Sequence, residues 1–108
     1  MIYRSYKYLL KFMNKSNKYK WELLPFYSVK SESRKDLSAK FLYGKFLNYV
    51  SDDDYIGAKL AKGFLRRGNY HCRKNNEPAN AFNSFHKYAK KDEKFKELSC
   101  EFYKMDSH

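Results

Sequence analysis

Apolar residues recur every three or four positions along most of this chain, a period that helices satisfy and strands do not. From Ser31 to Val50 the stripe is Leu37, Phe41, Leu42 and Phe46, continued by Tyr49 and Val50, with Ser31 or Ser33 as N-cap and Asp36 in the first turn. Gly44 lies on the line of Leu37 and Phe41 and offers another helix close approach. A second helix is expected from an N-cap at Ser51. Asp52, Asp53 and Asp54 then sit at the positive end of its macrodipole, Tyr55 to Leu65 forms its body, and Gly68 is its stop. Ile56, Leu60, Ala61 and Phe64 share its buried face, and the internal Gly57 and Gly63 imply a close neighbour or room for a ligand's backbone. Ala79 to Ala89 (stripe Ala81, Phe82, Phe85, Tyr88) and roughly Asp92 to Tyr103 (Phe95, Leu98, Phe102) complete the set.

The N-terminal region is less regular. Tyr3, Tyr6, Leu10 and Met13 suit a short helix or packed arm. In YKWELLPFYSV, Pro25 pushes the preceding residue towards extended geometry, which predicts an extended or turn segment with Trp21, Leu23, Leu24 and Phe26 laid over the helices as a lid. The expected fold class is all-α: a compact bundle of four to five short helices with one extended N-terminal aromatic segment. One domain spans 1–108, with an arm and extended segment over 1–30 and a helical core over 31–108. No internal repeat or dividing linker interrupts it. The 11 Tyr and 9 Phe are the large side chains such a small helical core needs, although Tyr beside Lys or Arg can also stack on bases.

Charge is distributed unevenly. Residues 1–76 carry 17 basic and 6 acidic side chains and account for the whole net charge of +11, whereas residues 77–108 balance six against six. A one-sided positive field attracts polyanions, phosphate backbones foremost. Richness in Lys, Asn, Tyr and Phe also matches an AT-rich coding sequence, a second origin for the basic excess. No uncharged stretch near the N-terminus is longer than Tyr8-Leu9-Leu10, too short for a signal-peptide core or a membrane span. Cys72 and Cys100 lack metal-ligand spacing and read as free thiols of a reducing, cytoplasmic or otherwise intracellular compartment.

Chemistry-bearing constellations are few. Three consecutive carboxylates point in different directions on a helix and do not converge on a metal ion. His71, Cys72 and His86 lack a fourth ligand and match no zinc spacing. The four glycines are scattered, so no phosphate loop is formed, and no nucleophile elbow is present. No catalytic residue, metal or cofactor is therefore expected. The segment that stands out is KLAKGFLRRGNYHCRK. Lys59, Lys62, Arg66, Arg67, Arg73 and Lys74 gather on the end of one helix and its following loop, with Asn69, Tyr70 and His71 among them. Guanidinium pairs beside an amide and an aromatic can hold phosphates and stack a base. The bland alternative is a solvated helix C-terminus, where the macrodipole alone favours cations.

The stretch DDDYIGAKLAKGFLRRG resembles the "DDFVGM-x-MA-x-KFLQMG" region of an uncharacterised domain-of-unknown-function family of small basic bacterial, phage and large-virus proteins, labelled only "cytoplasmic protein". YKWELLPFYSV is similar to that family's "YK-x-EILPHWRF", and DLSAKFLYGKFLNYVSDDD sits where it has "IYxxFLxYKxxxDF". PANAFNSFHKYAKKDEKFKEL is similar to its "A-x-IFxxxWxxxxxDxxY" end, so the likeness covers about residues 18 to 104 in order. After the glycine the family carries a longer basic run, "TRARRYANHKxGRKY", where this chain has only NYHCRKNN. The resemblance implies a shared fold and no known activity.

The expected function is a small, non-enzymatic nucleic-acid-binding or ribonucleoprotein-binding protein of viral or phage origin, binding DNA or RNA through the nine residues from Lys59 to Lys74 named above. The alternative is a protein-interaction module that engages an acidic protein partner, anchored by Trp21, Phe26 and Tyr27. No membrane partner is expected.

Overall fold

The computed structural model describes residues 18–106, and the helix or packed arm expected over residues 2–13 lies outside them. All regular structure among the described residues is helical. The described part of α1 covers residues 18–23 and runs into a 3-10 turn, Leu24–Phe26. Then come α2 (Glu32–Ser51), α3 (Tyr55–Lys74), α4 (Ala81–Lys91) and α5 (Glu93–Asp106). α2, α3 and α4 each pack against the other two, and α5 lies against all three.

The segment read as extended is helical in its first half. Pro25 occupies the start of the 3-10 turn, where its missing N–H leaves no partner unsatisfied. Residues 27–31 run without helical structure. Tyr19 and Leu23, one turn apart, are buried, while Trp21 between them is 73% exposed. The lid is thus formed by Tyr19 and Leu23 rather than by Trp21.

Ser31 caps α2 as expected: its backbone is extended and its Oγ accepts the Arg34 N–H at 3.3 Å. The buried stripe is Ser38, Ala39, Leu42, Phe46, Tyr49 and Val50. Leu37 and Phe41, expected inside, are 58% and 54% exposed. Phe41 instead stacks on Phe26 at a centroid distance of 5.0 Å. Ser38 can enter the core because its Oγ accepts the Ser28 N–H at 3.0 Å.

The three aspartates join α2 to α3 rather than opening a helix that starts at Ser51. Ser51 is the last residue of α2 and Asp52 its C-cap. Asp53 adopts the left-handed conformation (φ 59°), and the Asp54 and Asp53 N–H groups donate back to the carbonyls of Tyr49 (2.8 Å) and Val50 (3.1 Å), the Schellman pattern. Asp54 then caps α3, its Oδ1 accepting the Gly57 N–H at 3.1 Å. Its Oδ2 accepts the Tyr19 hydroxyl. One residue therefore ends a helix, begins the next and anchors α1.

α3 does not stop at Gly68. It continues to Lys74 and closes on a second Schellman pattern, with Asn76 at φ 63° and Glu77 N–H donating to Cys72 O at 2.8 Å. Gly68 is a packing gap: a methyl placed there would lie inside the buried Phe82 ring. Gly57 has the same role, since a Cβ would fall 2.7 Å from Tyr49 Cδ1 and 2.9 Å from Tyr19 Cε1. Gly44 and Gly63, also expected to face a neighbour, have open space around them.

α4 begins two residues later than expected, at a cap provided by Asn80, whose Oδ1 accepts the Asn83 N–H at 2.9 Å. The Asp92 Oδ1 accepts the Phe95 N–H at 2.8 Å and starts α5. Among the described residues, most aromatics lie in or against the core, as a chain of rings from Tyr43 through Phe46, Phe95 and Tyr55 to Phe102 shows, with centroids 4.9 to 5.9 Å apart. Tyr88, expected in the α4 stripe, is 56% exposed.

Candidate nucleic-acid interface

Because α3 runs unbroken past Gly68, the residues read as a loop after it are helical. Lys59, Lys62, Arg66, Tyr70 and Arg73 are spaced three or four apart on a row beside the buried Ala61, Leu65, Gly68 and Cys72, with Lys59 and Lys62 themselves partly buried. They extend over about 21 Å of helix axis. Arg67 and Lys74 flank this row. α3 contains no acidic residue. Among the described residues, Lys62, Arg66, Arg67, Arg73 and Lys74 form no ion pair, whereas Lys35, Lys94 and Lys96 do.

Lys59, Lys62, Arg67 and Lys74 each lie over an aromatic ring. Lys62 Nζ lies 5.2 Å from the Phe95 centroid, and Arg67 Cζ lies 5.5 Å from that of Phe64. Lys59 Nζ donates to the Tyr103 hydroxyl at 2.9 Å. Arg66, Arg73 and Lys74 are exposed. Tyr70 is 66% exposed with the Lys74 ammonium 5.7 Å from its ring centre, and this is the one tyrosine of α3 open to stack an incoming base.

The remaining two members of the expected set have structural work. Asn69 Oδ1 accepts from Asn80 Nδ2 at 3.2 Å and so ties α3 to the cap of α4. His71 sits at the C-terminal end, where Asn75 Nδ2 donates to its carbonyl at 2.8 Å. Both are only partly exposed.

Sequence spacing alone missed His86 and Lys90. They lie one turn apart on α4. Burial, followed by the charges of Lys62, Lys90 and Arg66, pushes the His86 pKa down to about 4. Burial also lowers the Lys62 pKa, with Lys90, Arg66 and Lys59 adding to it. The signal was present as a four-residue spacing on α4, but only the packing of α4 on α3 shows which cations it joins.

Trp21, Phe26 and Tyr27 are not brought to one surface. Trp21 is exposed and Phe26 is 38% exposed. Tyr27 turns inward, 5.5 Å from the Phe64 ring centre and 6.1 Å from that of Phe82. Cys72 is fully buried and burial raises its thiol pKa, so it is not an activated nucleophile. No three His, Cys, Asp or Glu side chains converge among the described residues, and no helix there is long and apolar enough to cross a membrane.

The family described as "Domain of unknown function (DUF4385)" matches residues 11–105. No curated protein and no solved structure matches the chain.

Proposed function

The chain belongs to the DUF4385 family, whose description assigns no activity, and from its own surface we propose that it binds nucleic acid through the outer face of α3. The observation that carries this reading is the length of the acid-free basic face. The macrodipole favours cations only in the last turn of a helix. Arg73 and Lys74 lie in that turn, but Lys59, Lys62 and Arg66 are one to three turns earlier and receive nothing from it. An acid-free row of cations at phosphate-reaching distances, with Tyr70 exposed in its midst, suits a backbone contact with one stacked base. The earlier expectation of a viral or phage origin and an intracellular location fits this reading, with the free thiols Cys72 and Cys100 belonging to a reducing compartment.

Fluorescence anisotropy on duplex DNA, single-stranded DNA and RNA across a salt series tests the proposal. Six phosphate contacts on duplex DNA give a slope of log K against log salt of roughly −5. Arg66→Ala/Arg73→Ala should reduce that slope by about 2. Binding that ignores salt, or ignores these two arginines, overturns it.

A second reading rests on Trp21, the most exposed large apolar side chain among the described residues. It makes this end an anchor for a protein partner, acidic in keeping with the net charge of +11. Capture of such a partner that Trp21→Ala abolishes would favour it over the α3 face.

A further inference from the structure

Between the 3-10 turn and the exposed side of α2 runs a groove of about 510 Å³, lined by Phe26, Lys40, Phe41, Gly44, Lys45 and Asn48 and by no residue of α3. Pro25 stands at the start of the turn and fixes the backbone that presents Phe26. The Phe26 and Phe41 rings stack with centroids 5.0 Å and planes 11° apart, and both remain open to solvent. Three positions beyond Phe41, Gly44 makes the floor: nothing else in the molecule comes within 4 Å of where its Cβ would stand. At about 100° per residue, Phe41, Gly44 and Asn48 form one row along α2, and Lys40 and Lys45 stand on opposite sides of that row. Lys40 is exposed, and Lys45 Nζ lies 5.6 Å from the Tyr49 ring centre. Among the described residues neither lysine forms an ion pair, and no carboxylate lines the groove.

Size and lining together select the occupant. The volume is that of a small-ligand site. A docked helix needs apolar anchors repeated at every turn, and here the apolar lining ends with Phe26 and Phe41 while Gly44, Lys45 and Asn48 follow. A flat ring that extends the phenyl stack fits instead. Two cations with no acid between them call for negative charge on either side of that ring, and a nucleobase within a strand brings both, one phosphate before it and one after. A single terminal phosphate would meet only one of the two lysines. In a duplex the bases are stacked away inside, whereas an unpaired base offers its face to an aromatic side chain.

We infer that this groove seats one unpaired nucleotide of a single-stranded nucleic acid. Its base stacks on the Phe26–Phe41 pair, its edge faces the Asn48 amide, and Lys40 and Lys45 hold the phosphates on either side. The site goes beyond the α3 row and does not rest on it: that row contacts phosphates of duplex and single strand alike, while the groove adds a preference for the single strand.

The test uses the full chain with four probes: oligothymidylate, its duplex with oligoadenylate, thymidine monophosphate and oligoglutamate. Gly44→Leu fills the groove without meeting the core, and leucine is the better helix former, so Tm should not fall. This variant should weaken oligothymidylate binding about tenfold, the loss of one stacked base, and leave duplex binding unchanged. Lys40→Gln/Lys45→Gln should lower the single-strand salt slope by about 1.4. Oligothymidylate binding that Gly44→Leu leaves intact overturns the groove, and the α3 row still stands if Arg66→Ala/Arg73→Ala weakens that binding. A loss in Gly44→Leu with no effect of the two arginines leaves the groove standing and removes the α3 row. Thymidine monophosphate that competes as well as the strand overturns the strand in favour of a free nucleotide. Oligoglutamate bound by the native chain and not by Gly44→Leu, with oligothymidylate unbound, overturns it in favour of an acidic protein segment. A chain that binds none of the four probes overturns both the groove and the α3 row.

Discussion

Glycine has opposite meanings at two positions only five residues apart. Gly68 lies against the Phe82 ring, which is wholly buried and cannot move aside. Gly68→Ala should destabilise by about 1–3 kcal/mol in urea melts, although alanine is the better helix former. Gly63 faces open space, and Gly63→Ala should stabilise by up to about 1 kcal/mol in the same assay. Nothing local separates the two: a glycine after a basic helix end has the sequence signature of a stop, and only Phe82 from another helix identifies Gly68 as a gap. His86 carries a second prediction. Its folded pKa of about 4 lies below the usual histidine value of 6.5, so between those values the unfolded chain holds the extra proton. Stability from this residue is complete above pH 6.5 and declines as pH falls towards 4, by on the order of 2 kcal/mol after allowing for solvent screening of a partly exposed ring. The difference in Tm between the native chain and His86→Gln should therefore shift against the native chain over that range.

At the level of elements, the helices are legible in the sequence and several of their ends are not. Periodicity located the bodies of α2 to α5 because each buries a stripe at helical spacing. The caps were harder because serine and aspartate serve either end. Ser51 has the composition of an N-cap, but it belongs to α2 because Asp53 can take a left-handed backbone and return two N–H groups to the preceding helix. Asp54→Ala should cost about 2 kcal/mol in chemical denaturation, since it removes the cap of α3 and the acceptor of the Tyr19 hydroxyl together. Asn76→Gly should be neutral or stabilising by up to about 1 kcal/mol, because glycine takes φ 63° without strain. The basic row of the candidate interface was legible as composition. Its unbroken geometry was not, because the continuation of α3 depends on a packing partner 14 positions away in sequence.

Across the whole molecule, the uneven charge becomes a spatial property: α3 and α4, which pack on each other, carry no acidic residue. A net charge of +11 repels itself in the compact state. Raising ionic strength from about 10 mM to about 150 mM shortens the screening length from about 30 Å to about 8 Å, and should raise Tm in calorimetry even as it weakens any nucleic-acid complex. The two effects have opposite signs, which separates charge that merely burdens the fold from charge that is used. A different consequence follows from the aspartate turn. Only Asp52, Asp53 and Asp54 separate α2 from α3, so the most extensive helix pair in the molecule closes with almost no loop entropy. This hairpin is the expected nucleus of folding, with α4 and α5 condensing onto it afterwards. Core truncations at Leu42, Phe46 or Ala61 should therefore slow refolding, while those at Phe82 or Leu98 should mainly speed unfolding.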